Sequence, residues 1–280
     1  MYPGTLIGRE ETAAMPRVLT YHDVVEEHPD ASGFPGGGPA LYKLPTREFA
    51  RHLDAIASTS ASPILLPQLK GSNADDLAPL LITFDDGGVS AANIIADALE
   101  RKGWRGHFFV TTDYIGRAGF MTAAQIRDLT SRGHIIGTHS CSHPRRMSAC
   151  SPQILCDEWQ RSRMVLSEIL DKPVTVGSVP GGYYSESIAL AAAASGLTDL
   201  FTSEPTTRMT MVNGLRVYGR FSIYRRTPLS KVTAIASGRR LAIMREAITW
   251  EMKKVLKIAG GETYLKLRKM ILDRQHRYLL

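Results

Sequence analysis

The chain has 280 residues, 44% of them apolar and 22% charged, with 34 Lys and Arg against 27 Asp and Glu. That length and balance suit one large domain or two small ones with a core of their own, and they exclude disorder, collagen and coiled coil for the chain as a whole. The charge is lopsided: residues 216–280 carry 16 Lys/Arg against 4 Asp/Glu, while residues 1–215 carry 18 against 23, so the C-terminal segment is the part suited to an acidic partner.

Arg17-Val18-Leu19-Thr20-Tyr21 is a short apolar run that predicts a strand, with His22 and Asp23 at its end, and the Gly- and Pro-rich stretch 31–39 predicts a loop. A helix is expected over 46–57, then a buried strand over 80–84 that stops at Asp85-Asp86-Gly87-Gly88, then a helix over 91–102. There follow a strand at 107–110, a helix from Thr122 to Gly133, a strand at 134–137, a long helix at 152–170 and a strand at 174–176. A helix at 185–194 is closed by Gly196, and strands are expected at 200–202 and 217–224. This alternation implies a parallel α/β sheet covered by helices. No Gly-rich dinucleotide turn follows the first strand, so a (β/α) barrel fits better than an open Rossmann sheet. In such barrels the reactive residues lie at the C-terminal ends of the strands.

Beyond Pro228 the alternation ends. Leu241, Met244, Ile248, Met252, Val255 and Ile258 recur at helical spacing with Arg and Lys between them; Gly260-Gly261 breaks that helix, and Tyr264, Leu267 and Ile271 begin a second. Two units are expected, a barrel over 1–228 and a basic amphipathic helical extension over 229–280. No apolar run approaches the ~20 residues that span a bilayer, and Met1-Tyr2-Pro3-Gly4-Thr5 lacks the basic-then-apolar order of a signal peptide. A cytoplasmic location is the expectation. The three cysteines, Cys141, Cys150 and Cys156, match no zinc-finger spacing and read as reduced thiols.

Two adjacent carboxylates at a strand end, Asp85 and Asp86, send their side chains in different directions, so one can ligate a metal while the other stays free as a base. The bland alternative is a solvated Asp-Gly turn. His139 and His143 come to one side if their segment makes a helical turn, and neutral imidazoles suit zinc and similar divalent ions. One carboxylate and two histidines from separate strand ends form a triad with open positions, which is catalytic rather than structural zinc geometry. His107 and His134 lie at strand starts and read as structural. Cys141, between the two histidines, reads as a small buried residue.

Leu81-Ile82-Thr83-Phe84-Asp85-Asp86-Gly87 resembles the first motif of the polysaccharide deacetylases, the NodB-homology domain of carbohydrate esterase family 4. Gly133-His134-x-Ile136-Gly137-x-His139-Ser140-x-x-His143 is similar to their second motif, Val18-Leu19-Thr20-Tyr21-His22 to their first strand, and Phe108-Phe109-Val110 to a later one. The resemblance runs over residues 17–225. It implies a distorted (β/α) barrel of about seven strands. It implies that Asp86, His139 and His143 hold a divalent metal, zinc first, and that Asp85 is the general base. The third motif of the family usually carries an arginine, where this chain has Ser178-Val179-Pro180-Gly181-Gly182. The Gly181 N–H could serve an oxyanion, and Pro180, Gly182 and Tyr183 could line the substrate, although an ordinary tyrosine is the first reading for Tyr183 alone. Arg220 either replaces the missing arginine beside the base or belongs to the basic C-terminal surface. The histidine that usually acts as general acid is also missing, and His22 is the substitute expected, against a structural role within the barrel.

The resemblance implies a metal-dependent hydrolase removing acetyl groups from N-acetylated amino sugars, in the assembly of an exopolysaccharide or other glycan. The alternatives are a non-catalytic carbohydrate-binding barrel and an O-acetyl esterase. For the basic extension the expectation is a helical cap on the barrel, next an anionic membrane surface as partner. Nucleic acid ranks last because no nucleic-acid fold accompanies it.

Overall fold

The computed structural model describes residues 15–26, 28–69 and 79–252. Strand β1 (Arg17–Tyr21) is followed by the short parallel pair β2 (Val24–Val25) and β3 (Leu44–Pro45), with α1 (Gly37–Ala40) between them. Helices α2 (Thr46–Ala57) and α3 (Leu66–Leu69) lead to β4 (Leu80–Phe84). Then α4 (Ala96–Glu100) precedes β5 (His107–Val110), α5 (Ala123–Ser131) precedes β6 (Ile135–Thr138), and α6 (Pro152–Leu170) precedes β7 (Val176–Ser178). Helix α7 (Glu186–Ala194) leads to β8 (Asp199–Phe201), the hairpin β9 (Met209–Val212) and β10 (Leu215–Tyr218), β11 (Phe221–Ser222) and α8 (Leu229–Ala236). The sheet runs β11-β1-β4-β5-β6-β7-β8-β10-β9 and is parallel except for β9 at its edge. It curls into a distorted, incomplete (β/α) barrel, as expected.

The apolar runs of β1, β4 and β5 are buried along their whole length, which is how strands covered on both faces read in sequence. The helix foreseen from Thr122 starts there because Thr122 and Gln125 form a reciprocal capping box. The helix foreseen over 91–102 is π-wound at Ala91–Ile95 before α4 begins.

Two expectations need correction. The strand expected over 217–224 is two strands, β10 and β11, and the break falls at Gly219-Arg220. A Cβ at Gly219 would collide with the Glu204 carbonyl and with Thr206, so the chain can pass there only as glycine. The antiparallel β9 was not foreseen, although Asn213 (φ 49°) and Gly214 (φ 80°) form an Asn-Gly turn of the kind that joins hairpins.

Helix α8 packs Val232, Ile235 and Ala236 into the same core as Leu19, Leu53 and Phe221, and the Arg17 guanidinium donates to the Ala236 carbonyl. Residues 240–252 are helical. A Lys231–Glu246 ion pair of 2.7 Å ties this helix to α8. Ile243 packs on the core, while Leu241, Met244, Ile248 and Met252, on the opposite face, are 71%, 56%, 56% and 62% exposed. The expected positions Val255, Ile258, Tyr264, Leu267 and Ile271 lie outside the described residues. Among those described, no helix is long and apolar enough to cross a membrane.

His107 and His134 sit at the starts of their strands, away from the C-terminal ends, and are wired into the frame. The Leu66 N–H donates to His107 Nε2 (3.0 Å), and Nδ1 lies 3.2 Å from the Ile82 carbonyl. An imidazole that accepts at one nitrogen and donates at the other is neutral. Burial lowers the His107 pKa to about 4; the Ile82 carbonyl pulls it up, and the smaller effects of His134 (downward) and Asp199 (upward) follow. The unfolded chain therefore binds a proton that the folded chain refuses between the ordinary 6.5 and about 4. The His107 contribution is complete above pH 6.5 and is lost as pH falls toward 4, a loss on the order of 3 kcal/mol. Urea unfolding at a series of pH values should show it, and His107→Gln should flatten that part of the curve; a variant with an unchanged slope would refute the assignment.

Candidate active site

The sheet gathers the candidate residues at one end. His22 follows β1, Asp85 and Asp86 follow β4, His139 and His143 follow β6, Pro180 to Tyr183 follow β7, and Arg220 follows β10. The register Tyr21↔Phe84 sets His22 beside Asp85, and the Asp85 N–H donates to the Tyr21 carbonyl at 3.1 Å. Five non-glycine residues among those described have left-handed φ, and three are here: Asp86 (77°), Ser140 (64°) and His143 (56°). Such backbone costs on the order of 1 kcal/mol or more per residue, and persists only where the surroundings impose it.

Asp85 is clamped by Arg220. Nη1 donates to Oδ1 and Nη2 to Oδ2, each at 2.7 Å, with the guanidinium 0% exposed. The remaining donors are also used: Nε bonds the Thr202 carbonyl (2.9 Å), Nη1 bonds Thr83 Oγ1 (3.2 Å), and Nη2 bonds Ser178 Oγ (2.8 Å). Ser178 Oγ in turn donates to Asp85 Oδ1 at 3.2 Å. Arg220 therefore lies inside the barrel and not on the basic C-terminal surface. Its fork occupies the room left by the small Ser178 side chain. Oδ1 of Asp85 accepts twice and Oδ2 once, so Oδ2 retains an open lone pair. Burial pushes the Asp85 carboxyl up, but the charges of Arg220 and His139, the Arg220 hydrogen bond and His22 outweigh it and hold it below the ordinary value.

Asp86 points the other way. Its Oδ1 lies 3.4 Å from His139 Nε2 and 3.5 Å from His143 Nε2, and it is buried without a hydrogen-bond partner. The three ligand atoms lie within 4.8 Å of one another. Burial again pushes the carboxyl up, while His139, His22 and His143 hold it well below the carboxylate range. His139 Nδ1 sits 2.9 Å from the Ser178 carbonyl. That acceptor fixes the proton on Nδ1 and leaves Nε2 as a lone pair facing Asp86. Burial lowers the His139 pKa less than Asp85 and Asp86 raise it, whereas for His143 burial prevails over Asp86.

Sequence reasoning missed the residue that shapes the loop between the histidines. Glu158 of α6 is buried, accepts from the Cys141 and Ser142 N–H groups with Oε2 (2.9 Å each) and from Ser142 Oγ with Oε1 (2.6 Å). A signal existed: Glu158 lies within the helical stripe Leu155, Trp159, Ser162 and Leu166, all buried, where a carboxylate has to find donors. Asp23, after β1, is a second buried carboxylate. It accepts from Ser32 Oγ (2.6 Å) and Ser90 Oγ (2.8 Å) with Oδ1, and burial raises its pKa. It anchors the loop that carries Phe34, whose ring lies 4.9 Å from that of His143.

His22 Nδ1 is buried without a hydrogen-bond partner, and the ring packs 4.5 Å from that of Tyr42. Pro180 to Gly182 form one 3-10 turn; Gly181 (φ 69°) and Gly182 (φ 69°) are both left-handed, and a Cβ at Gly181 would press on the Arg145 carbonyl. Tyr183 lies on the rim beside Arg146. Cys141 is a buried free thiol.

Comparison with known proteins gives three kinds of match. Residues 73–200 match a family model described as polysaccharide deacetylase. The putative polysaccharide deacetylase YxkH of Bacillus subtilis (strain 168) is 24% identical over 203 residues, 71% of this chain and 68% of that one. Among solved structures, the Streptococcus pyogenes deacetylase PplD in complex with acetate aligns with a TM-score of 0.66 and 18% identity, over 78% of this chain and 96% of that one. IcaB from Ammonifex degensii aligns with a TM-score of 0.62 and 20% identity, over 81% and 98%. At these identities the structural likeness speaks for a common fold.

Proposed function

Residues 73–200 belong to the polysaccharide deacetylase family, and from that premise we propose that the chain is a metal-dependent hydrolase that removes acetyl groups from N-acetylated amino sugars of a glycan, during assembly of an exopolysaccharide. The observation that carries this is the divergence of the two aspartates: Asp86 faces two imidazole nitrogens, while Asp85 faces away from them into Arg220.

The donor set of Asp86, His139 and His143 fits a divalent ion. The orphaned Asp86 Oδ1 has no other partner, and the His139 Nδ1 contact presents Nε2 in the ligating form. An ion held there supplies Lewis-acid polarisation of the acetyl carbonyl and acidifies water. The chain's own groups do the rest. Asp85 takes the proton of the attacking water on Oδ2, its open lone pair. Arg220 keeps that carboxylate ionised and fixed in direction. The Gly181 N–H donates to the oxyanion. His22, next to Asp85, protonates the departing sugar nitrogen, and amine and acetate leave. Acetate release from an N-acetylglucosamine oligomer is expected to stop on chelation and return with a divalent ion. Metal analysis is expected to find about one ion per chain in the wild type and none in His139→Ala/His143→Ala. Metal retained by that double variant would remove the assignment.

The helix at 240–252 carries the second part of the reading, an anionic membrane surface as partner. Its outer stripe of Leu241, Met244, Ile248 and Met252 is flanked by exposed Arg239, Arg240 and Arg245, the composition that lies at a lipid headgroup boundary. Sedimentation with acidic but not neutral liposomes is expected, with release at high salt. Equal recovery with both would favour a helical cap alone.

A further inference from the structure

We propose that the mouth of the barrel is built for an acidic glycan, one in which the sugar to be deacetylated is flanked by phosphate or carboxylate groups. This rests on the deacetylase reading of the centre and adds the charge of what surrounds it. The observation is aromatic rings with arginines beside them on three sides of the site, the guanidinium lying over a ring on two of the three. On one side His143 meets Phe34 (ring centroids 4.9 Å), Phe34 meets Tyr114 (4.7 Å), and the Arg117 Cζ lies 4.7 Å over Tyr114. On another, His22 meets Tyr42 (4.5 Å) and Tyr42 meets Tyr224 (4.9 Å), which is followed in the chain by Arg225 and Arg226. On the third, the loop Pro180–Gly182 runs into Tyr183, with the Arg146 Cζ 5.5 Å from its ring.

A guanidinium stacked on a ring spends its flat face and leaves its N–H edge directed outward, where it can take an oxyanion in two parallel bonds. Among the described residues, none of Arg117, Arg146, Arg225 and Arg226 pairs with a carboxylate. Carboxylates do occur nearby, but two of them are engaged: Asp30 accepts the Gly36 N–H (2.9 Å), and Asp113 lies 3.9 Å from Arg161. Two others, Glu204 and Glu186, act on Tyr184. Arg225 is the most telling of the four. It is half-buried, its Nη1 reaches only the Lys43 carbonyl (3.2 Å), and Arg226 stands beside it as a like charge. Rings that can stack on sugars, and cations without a carboxylate partner among the described residues, thus lie together at this end of the sheet. A neutral chitin-like chain would use the rings and leave the cations idle; a chain with an anion between its sugars would use both.

The test separates binding from turnover. Isothermal calorimetry at low salt would compare three ligands without an acetyl group: a neutral glucose disaccharide, its uronate counterpart, and its 1-phosphate. At least one charged ligand is expected to bind roughly 10-fold or more tighter than the neutral one, in line with charge-assisted hydrogen bonds to one or two guanidinium groups. The advantage should shrink with added salt. In Arg117→Gln/Arg146→Gln/Arg225→Gln/Arg226→Gln it should fall below about 2-fold, and because the ratio of two ligands is read, a general loss of folded protein cannot imitate it. The two charged ligands tell phosphate from carboxylate. Equal affinity for all three ligands, or a charge preference that survives the fourfold variant, would overturn the proposal. Charge-dependent binding without acetate release from the N-acetylated counterparts would instead count against the deacetylase reading and leave the acidic mouth standing.

Discussion

Asp85→Asn is expected to lose roughly 10²–10⁴ in turnover while keeping its metal, because an amide has no basic oxygen to take the proton of water. It is not expected to be a silent change elsewhere. Arg220 is wholly buried and directs both terminal nitrogens at Asp85. Neutralising the carboxylate leaves that guanidinium without its anion, which typically costs about 3–5 kcal/mol. Loss of activity in the single variant could then reflect loss of fold. The double variant Asp85→Asn/Arg220→Met removes both charges and should recover much of the stability, since an apolar replacement for a buried ion pair is often close to neutral. It should recover none of the turnover. Kinetics at a temperature where both variants are folded, alongside urea unfolding, decide the matter. Near-normal turnover in Asp85→Asn would mean that the base is another group.

His22→Ala is expected to divide substrates by leaving group. Expelling an amine needs a proton at nitrogen, so an N-acetylated sugar should lose roughly 10²–10⁴ in turnover. An activated acetyl ester, whose leaving group departs as an anion, should lose far less. The motive is position: His22 is carried to Asp85 by the β1–β4 register, and its Nδ1 is buried without a partner. Equal losses on both substrates would show that the imidazole supports Tyr42 and the wall of the site, and that the proton comes from elsewhere.

How far the sequence could be read depended on how local each signal was. Fully buried strands such as β1 and β4 are continuous apolar runs, and helices such as α5 and α6 carry their own caps, so the alternating α/β barrel was legible. Asp85, Asp86, His139 and His143 stood out because each pair is close in sequence and follows an apolar strand. The partnership of Asp85 with Arg220 spans 135 positions. Nothing near Gly219 announces it, and sequence alone left Arg220 between the barrel interior and a basic surface. Glu158 escaped notice for a different reason. Two of its three donors are backbone N–H groups, which every residue has, so only its place in a buried helical stripe could have marked it. The break of the last strand was hidden likewise, since it is imposed by the distant Glu204 carbonyl and Thr206.

The two-residue link between β10 and β11 has a consequence for how the molecule comes together. These strands stand toward opposite ends of the sheet's hydrogen-bonded order, so among the described residues no backbone ladder joins them and the cylinder has a seam there. Arg220 stands in that link and reaches inward to Thr83 of β4, Asp85 after it, Ser178 of β7 and the Thr202 carbonyl after β8. One side chain laces strands that are not neighbours in the sheet. Until the last strands dock, Asp85 has no cation to balance it and cannot be sealed from water without protonation or large cost. Closing the cylinder and arming the carboxylate are therefore one event: a chain halted before residue 220 would lack the lace and the working form of its aspartate together.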